Sequence, residues 1–227
     1  APLLFVSPLW GDGRGAAYEK EWKKVDSLTN KGLSRSALDV TEAILKKAKQ
    51  DNNSAQVVKA LIHKLKFESY IQEEDYIKAI YDLRKESDSA MFPLKNVLHS
   101  LLAEVYWGYY QNNRWRFLNR TETINFKPED IRTWDLKKIL KETINNYELS
   151  MKSSDSLKRT SVSIFEPILV KEKESQKYRP TLYDFLAHRA IDFFMHDETG
   201  LTQPAYKFEL DNPDYFLPAE KFSMMKI

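Results

Sequence analysis

Residues 54–90 read SAQVVKALIHKLKFESYIQEEDYIKAIYDLRKESDSA. Val58, Leu61, Ile62 and Leu65 recur at the three- and four-residue steps of one helix face, and after the polar run QEED the same steps carry Tyr76, Ala79, Ile80 and Leu83. Two amphipathic helices joined by a short polar connection bury their apolar stripes against each other. The stretch therefore predicts an antiparallel helical hairpin, and its neighbours repeat the pattern.

On the N-terminal side, Tyr18, Trp22, Val25 and Leu28 form one helical stripe and Ala37, Leu38, Ile44, Leu45 and Ala48 a second. Gly32 is expected to stop the first helix and Ser34 to cap the next, which then ends at Asp51, Asn52 and Asn53. Aligning Ala37-Leu38 with Ala79-Ile80 gives a repeat of about 40 residues, longer than the roughly 34 of a strict tetratricopeptide repeat. A third pair runs from Pro93 through VLHSLLAEVYWGYYQNNRWRFL, then from Asp130 through WDLKKILKETINNYELSM, with Pro93 in a first helical turn and Pro128 in the connecting loop. Ser153 to Tyr178 is less periodic and predicts one short helix near 162–170, followed by RPTLYDFLAHRAIDFF at 179–194.

The tail changes character. In PAYKFELDNPDYFLPAEKF, Tyr206, Phe208 and Leu210 alternate with polar residues while Pro204, Pro213 and Pro218 forbid a continuous helix. The expected organisation is a flexible or extended lead-in over 1–17, a helical-repeat domain over 18–200, and an extended proline-containing tail over 201–227 leading toward a following domain. The fold class is all-α, with tetratricopeptide-like antiparallel helix hairpins stacked as a short solenoid.

Composition narrows the function. The 35 basic and 33 acidic residues are interspersed and leave a formal charge of +2, so no single-sign field draws the chain to nucleic acid or a membrane surface. With no cysteine there is no disulfide, thiolate metal site or cysteine nucleophile. The opening APLLFVSPLW lacks a basic start and its apolar run breaks at Pro8, so it does not read as an intact signal peptide. No stretch reaches the roughly 20 apolar residues of a membrane span.

Two patterns are candidate sites. WGYYQNNRWRFLNR interleaves aromatic side chains with Arg114, Arg116 and Arg120, the pairing that single-stranded nucleic acid requires. The same aromatics also fall at spacings that pack a long helix, which is the favoured reading. Arg114, Trp115, Arg116 and Arg120 then remain as a candidate interaction surface. Asp184, His188 and Asp192 stack on one helical face and could hold a metal or form an acid–base row. Metal motifs of recognised type put two histidines on the helix, or a histidine with a glutamate from elsewhere, and this row has one histidine. Because Leu182, Phe185, Leu186, Ala190, Phe193 and Phe194 occupy the rest of the circumference, the row reads as a polar face bonding to neighbouring helices or loops, with Arg189 as a partner.

GDGRG at 11–15 lacks the Gly-Lys-Ser/Thr ending of a phosphate loop and the third glycine of a dinucleotide turn. No G-x-S-x-G occurs, and His63 and His99 lie among helical core positions. The reading assigns no catalytic residue, no metal and no cofactor.

KEWKKVDSLTNKGLSRSALDV, VVKALIHKLKF, LLAEVYWGYYQNNRWRF, TWDLKK and RPTLYDFLAHRAIDFF, with the closing PAYKFELDNPDYFLPAEKF, together resemble the N-terminal helical region of large bacterial alpha-2-macroglobulin-like proteins. The resemblance covers the chain from about residue 18 onward. It implies helical hairpins preceding macroglobulin-type β-sandwich domains in a long periplasmic or cell-envelope protein, some members of which trap proteases. The family's Cys-Leu-Glu-Gln thioester has no counterpart here, because there is no cysteine, and no bait segment is recognisable. The implied function is a non-catalytic scaffold or docking module. Its partners would be other domains of the same polypeptide, with a protease or another protein as the external partner and no nucleic acid. The alternative is an independent tetratricopeptide-like adaptor that binds partner peptides.

Overall fold

Gly32 and Asn52, both in the left-handed backbone region at φ 71° and 51°, set the first two reversals of the chain. At each, the residue after the turn bonds back five positions and the turn residue itself bonds back three. Leu33 N–H meets the Leu28 carbonyl at 3.0 Å and Gly32 N–H the Thr29 carbonyl at 2.9 Å; Asn53 meets Ala48 at 2.9 Å and Asn52 meets Lys49 at 3.2 Å. These are paired Schellman closures, which satisfy the last carbonyls of a helix and turn the chain back on itself.

The computed structural model describes residues 13–118, 126–169, 175–196 and 218. The first two reversals join α1 (Gly13–Asn30), α2 (Ser34–Gln50) and α3 (Ser54–Ile71), and Gln72 alone separates α3 from α4 (Glu73–Ser89). Then follow α5 (Leu94–Asn112), the five-residue α6 (Arg114–Leu118), a 3-10 turn at Ile131–Thr133 and α7 (Leu136–Ser150). The chain continues through α8 (Ser154–Arg159), a 3-10 helix at Val162–Ile168, α9 (Ser175–Tyr178) and α10 (Leu182–Phe194). Among the described residues the fold is all-α and repeat-like; the one extended pairing is an isolated bridge between Ser161 and Thr181. None of the described helices is long and apolar enough to cross a membrane.

Packing follows chain order. α1 lies on α2, α2 on α3, α3 on α4, α4 on α5 and α5 on α7, while the 162–168 helix returns to α3. The centres of the predicted stripes are buried: Tyr18, Trp22 and Val25; Ala37, Ile44 and Ala48; Val58, Leu61 and Leu65; Ala79, Ile80 and Leu83, while their members Leu28, Leu38, Leu45, Ile62 and Tyr76 are half-buried. α5 buries Val97, Leu98, Leu101, Leu102, Val105, Tyr106, Trp107, Tyr109 and Tyr110, so almost its whole circumference is covered. Asn96 fastens its start to the far end of α7 with bonds of 2.9 Å to the Ser150 and Lys152 carbonyls. The chain divides into two compact units, Ala1–Asp192 and Phe193–Ile227. Within the second, the Phe193 and Phe194 rings meet edge to face at 5.1 Å.

Several boundaries differ from the sequence reading. α1 begins at Gly13, so 13–17 of the expected flexible or extended lead-in is helical, as the helix-favouring Arg14, Ala16 and Ala17 allow. Ser34 is not a cap: the Schellman turn brings Leu33 into the cap position, where no side-chain bond forms, and Ser34 is the first helical residue. Pro93 stands one residue before α5, joined to Phe92 by a cis peptide bond. The short helix near 162–170 is a 3-10 helix with Pro167 inside it, preceded by α8. Most of the tail at 201–227 lies outside the described residues.

Candidate functional site

α6 continues α5 after a break at Asn113 and turns one residue inward and one outward. Phe117 is buried, its ring edge-on to Tyr109 and Tyr110 with centroids at 6.2 and 5.8 Å. Trp115 is 67% exposed, and the Arg116 guanidinium sits 5.1 Å from its ring centroid. Arg116 also donates to Glu73 at 2.8 Å, and Arg132 from the 3-10 turn donates to Glu74 at 3.0 Å. The acidic first turn of α4 thus holds both arginines, which is where the helix dipole favours negative charge. Arg114 is exposed; Arg120 lies outside the described residues. Of the aromatics in the run, Trp107, Tyr109, Tyr110 and Phe117 belong to the core, so the stacking platform for bases is dismantled and Trp115 is left as a surface anchor beside a cation.

The row on α10 is taken up by the helix's own start. Thr181 and Asp184 form a reciprocal capping box, the Asp184 amide donating to Thr181 Oγ1 at 3.2 Å and the Thr181 amide and hydroxyl donating to Asp184 Oδ2 at 3.0 and 2.7 Å. His188 Nδ1 lies 2.8 Å from the Asp184 carbonyl, which can only accept, so Nδ1 carries the proton. Asp192 is exposed on the last turn. Arg189 does not serve the row. It crosses to α5, donating to Ser100 Oγ at 2.8 Å and pairing with the Glu104 carboxylate. Among the described residues, no three histidine or carboxylate side chains come together as metal ligands.

The two core histidines are structural in different ways. His99 Nδ1 is 2.9 Å from Asn146 Oδ1, and the Asn146 amide nitrogen donates to the Glu142 carbonyl at 2.8 Å. That second bond orients the amide, so His99 is the donor. Burial pushes its pKa down; the bond to Asn146 and the Asp88 charge oppose this, and Lys95 and Lys152 add to it. His63 lies between Trp22 and Phe67, with centroids at 4.8 and 5.9 Å, and neither ring nitrogen has a hydrogen-bond partner. Burial, reinforced by the Lys59 and Lys66 charges, lowers it to about 4.

Sequence reasoning missed the groove between α2, α3 and α4. It encloses about 340 Å³ over Leu45, Leu61, Leu65 and Leu83, with Lys64 and Asp82 among the charged residues at its edge. Beside it Glu68 is buried, its pKa pushed up to about 7 by burial against the opposing pull of Lys64, with Glu42, Asp82 and Asp75 raising it further. The available signal was Glu68 itself, a carboxylate three residues beyond Leu65 on the apolar stripe.

Compared with models of protein families, with curated proteins and with solved structures, the chain matches none.

Proposed function

We propose that the chain is a non-catalytic helical scaffold that docks neighbouring protein domains, the N-terminal helical module of an alpha-2-macroglobulin-like envelope protein whose parent can be a protease inhibitor. The observation that carries the reading is how its reactive-looking side chains are used. Asp184 closes a helix start, His188 bonds its own helix, Arg189 ties α10 to α5, His99 is buried in the core, and His63 is half-buried with both ring nitrogens shielded from solvent. Trp115, exposed beside Arg116, has the chemistry of an interface anchor: a large apolar face next to a planar cation. The sequence resemblance supplies the proposed partner, the macroglobulin-type domains of the same polypeptide, and the envelope location.

Calorimetry between this chain and those domains tests the reading at low and moderate salt. Saturable one-to-one binding weakened by Trp115→Ala is expected; no binding at either salt concentration sinks it. The groove of about 340 Å³ supports a second reading, an independent adaptor for partner peptides. A reading frame that continues past the codon for Ile227 into β-sandwich domains favours the first, and one that stops there favours the second.

A further inference from the structure

One ammonium serves two carboxylates at the edge of the α2–α3–α4 groove. Lys64 Nζ is 3.0 Å from Glu42 Oε1 across the helix pair and 3.7 Å from Glu68 Oε1 one turn along its own helix. The two acids differ in their surroundings: the Glu42 side chain is half exposed, whereas only 11% of the Glu68 side chain is accessible and its Oε2 is buried without a hydrogen-bond partner. A buried carboxylate oxygen with no donor is costly when charged and far less so when the group holds a proton. The charges acting on Glu68 are Lys64 from its own helix, Glu42 from α2, and Asp82 and Asp75 from α4. α5 and the 162–168 helix meet α3 elsewhere, near Val58, through the apolar Val97, Leu101, Phe165 and Ile168.

We propose that Lys64 is a proton-operated latch on this groove, held by Glu42 while Glu68 carries a proton and drawn to Glu68 when that proton leaves to solvent. The shorter contact to Glu42 is the arrangement expected of protonated Glu68. Burial alone would depress Lys64, but its hydrogen bond to Glu42 and the charges of Glu68, Glu42 and Asp82 outweigh that, so Lys64 stays cationic throughout and only its partner changes. Releasing Glu42 removes an ionic tie between α2 and α3. The tie from Lys49 on α2 to Glu86 on α4 remains across the groove. The groove wall is therefore looser at alkaline than at acidic pH.

A double-mutant cycle of Glu42→Gln and Lys64→Gln, read by urea unfolding of the full chain near pH 5.5 and near pH 8.5, tests the latch. At the lower pH the pair should shift the folding equilibrium by about threefold; at the higher pH the coupling should fall close to nothing. In a Glu68→Gln background, which mimics the protonated acid, the threefold coupling should persist at both pH values. Coupling that ignores pH in the wild-type chain, or still falls with pH in Glu68→Gln, overturns the proposal. Carbon NMR of labelled glutamate gives an independent reading without any substitution. Glu68 should titrate near neutrality, with the Glu42 signal moving at the same midpoint; a Glu68 signal that titrates with the exposed carboxylates overturns the latch as well.

Discussion

Glu68 and His63 lie on the same helix and couple stability to pH in opposite senses. Glu68 rises from its ordinary 4.5 to about 7 on folding, so the folded chain binds the extra proton; its stabilisation is full below about 4.5 and is lost as pH climbs through 7. His63 falls from 6.5 to about 4, so the folded chain binds fewer protons, and its contribution is present above 6.5 and lost as pH drops toward 4. Over the shared window the two slopes oppose each other, and single substitutions should unmask them. In urea titrations Glu68→Gln should gain about 2 kcal/mol near pH 8 and leave stability rising with pH from about 4 to 6.5. His63→Gln should leave stability falling with pH from about 4.5 to 7. A flat profile in both variants would refute the assignment. The tryptophans make a second contrast at this scale. Trp134→Ala removes a ring that is 2% exposed and tilted against Tyr106 with centroids 5.2 Å apart, and should cost about 3–5 kcal/mol in chemical denaturation. Trp115→Ala should change stability by no more than about 0.5 kcal/mol.

At the scale of elements, the turns carry the clearest expectations. Nothing lies within 4 Å of a Cβ added at Gly32, so its φ of +71° and not crowding resists a side chain there. Gly32→Ala and Asn52→Ala should each cost about 1 kcal/mol by thermal or urea unfolding, whereas Asn52→Gly should cost none. Thr181→Ala should cost about 1 kcal/mol through the lost capping box. The apolar stripes of α2, α3 and α4 are legible in the sequence because burial follows the helical period directly. The use of a polar residue is not legible that way, since period gives the face and not the partner. Asp184, His188 and Asp192 do share a helix, but what occupies Asp184 is Thr181, three residues earlier, a T-x-x-D signal present in the text of the sequence. Ser34 fails as a cap for a related reason. A cap needs a non-helical residue just before the helix, and the turn at Gly32 leaves that place to Leu33.

At the scale of the molecule, consecutive pairing explains why an all-α repeat-like fold can be read from local patterns, while the closures between distant segments cannot. Arg189 reaching Ser100 and Glu104 has no local signature, because the partners are far apart in the chain. Arg189→Ala should destabilise by about 2 kcal/mol and, in a double-mutant cycle with Glu104→Ala, show coupling that an exposed pair such as Lys23–Glu19 lacks. The return of the 162–168 helix to α3 has a further consequence for how the protein is made. Helices that pair with their sequence neighbours can assemble as each leaves the ribosome, but Val58, Val97 and Leu101 are covered by Phe165, Ile168 and Phe185, which emerge more than sixty residues after the last of them. Until then the nascent chain displays a sticky seam, and synthesis halted at Met151 should yield a product that needs a chaperone to stay dispersed.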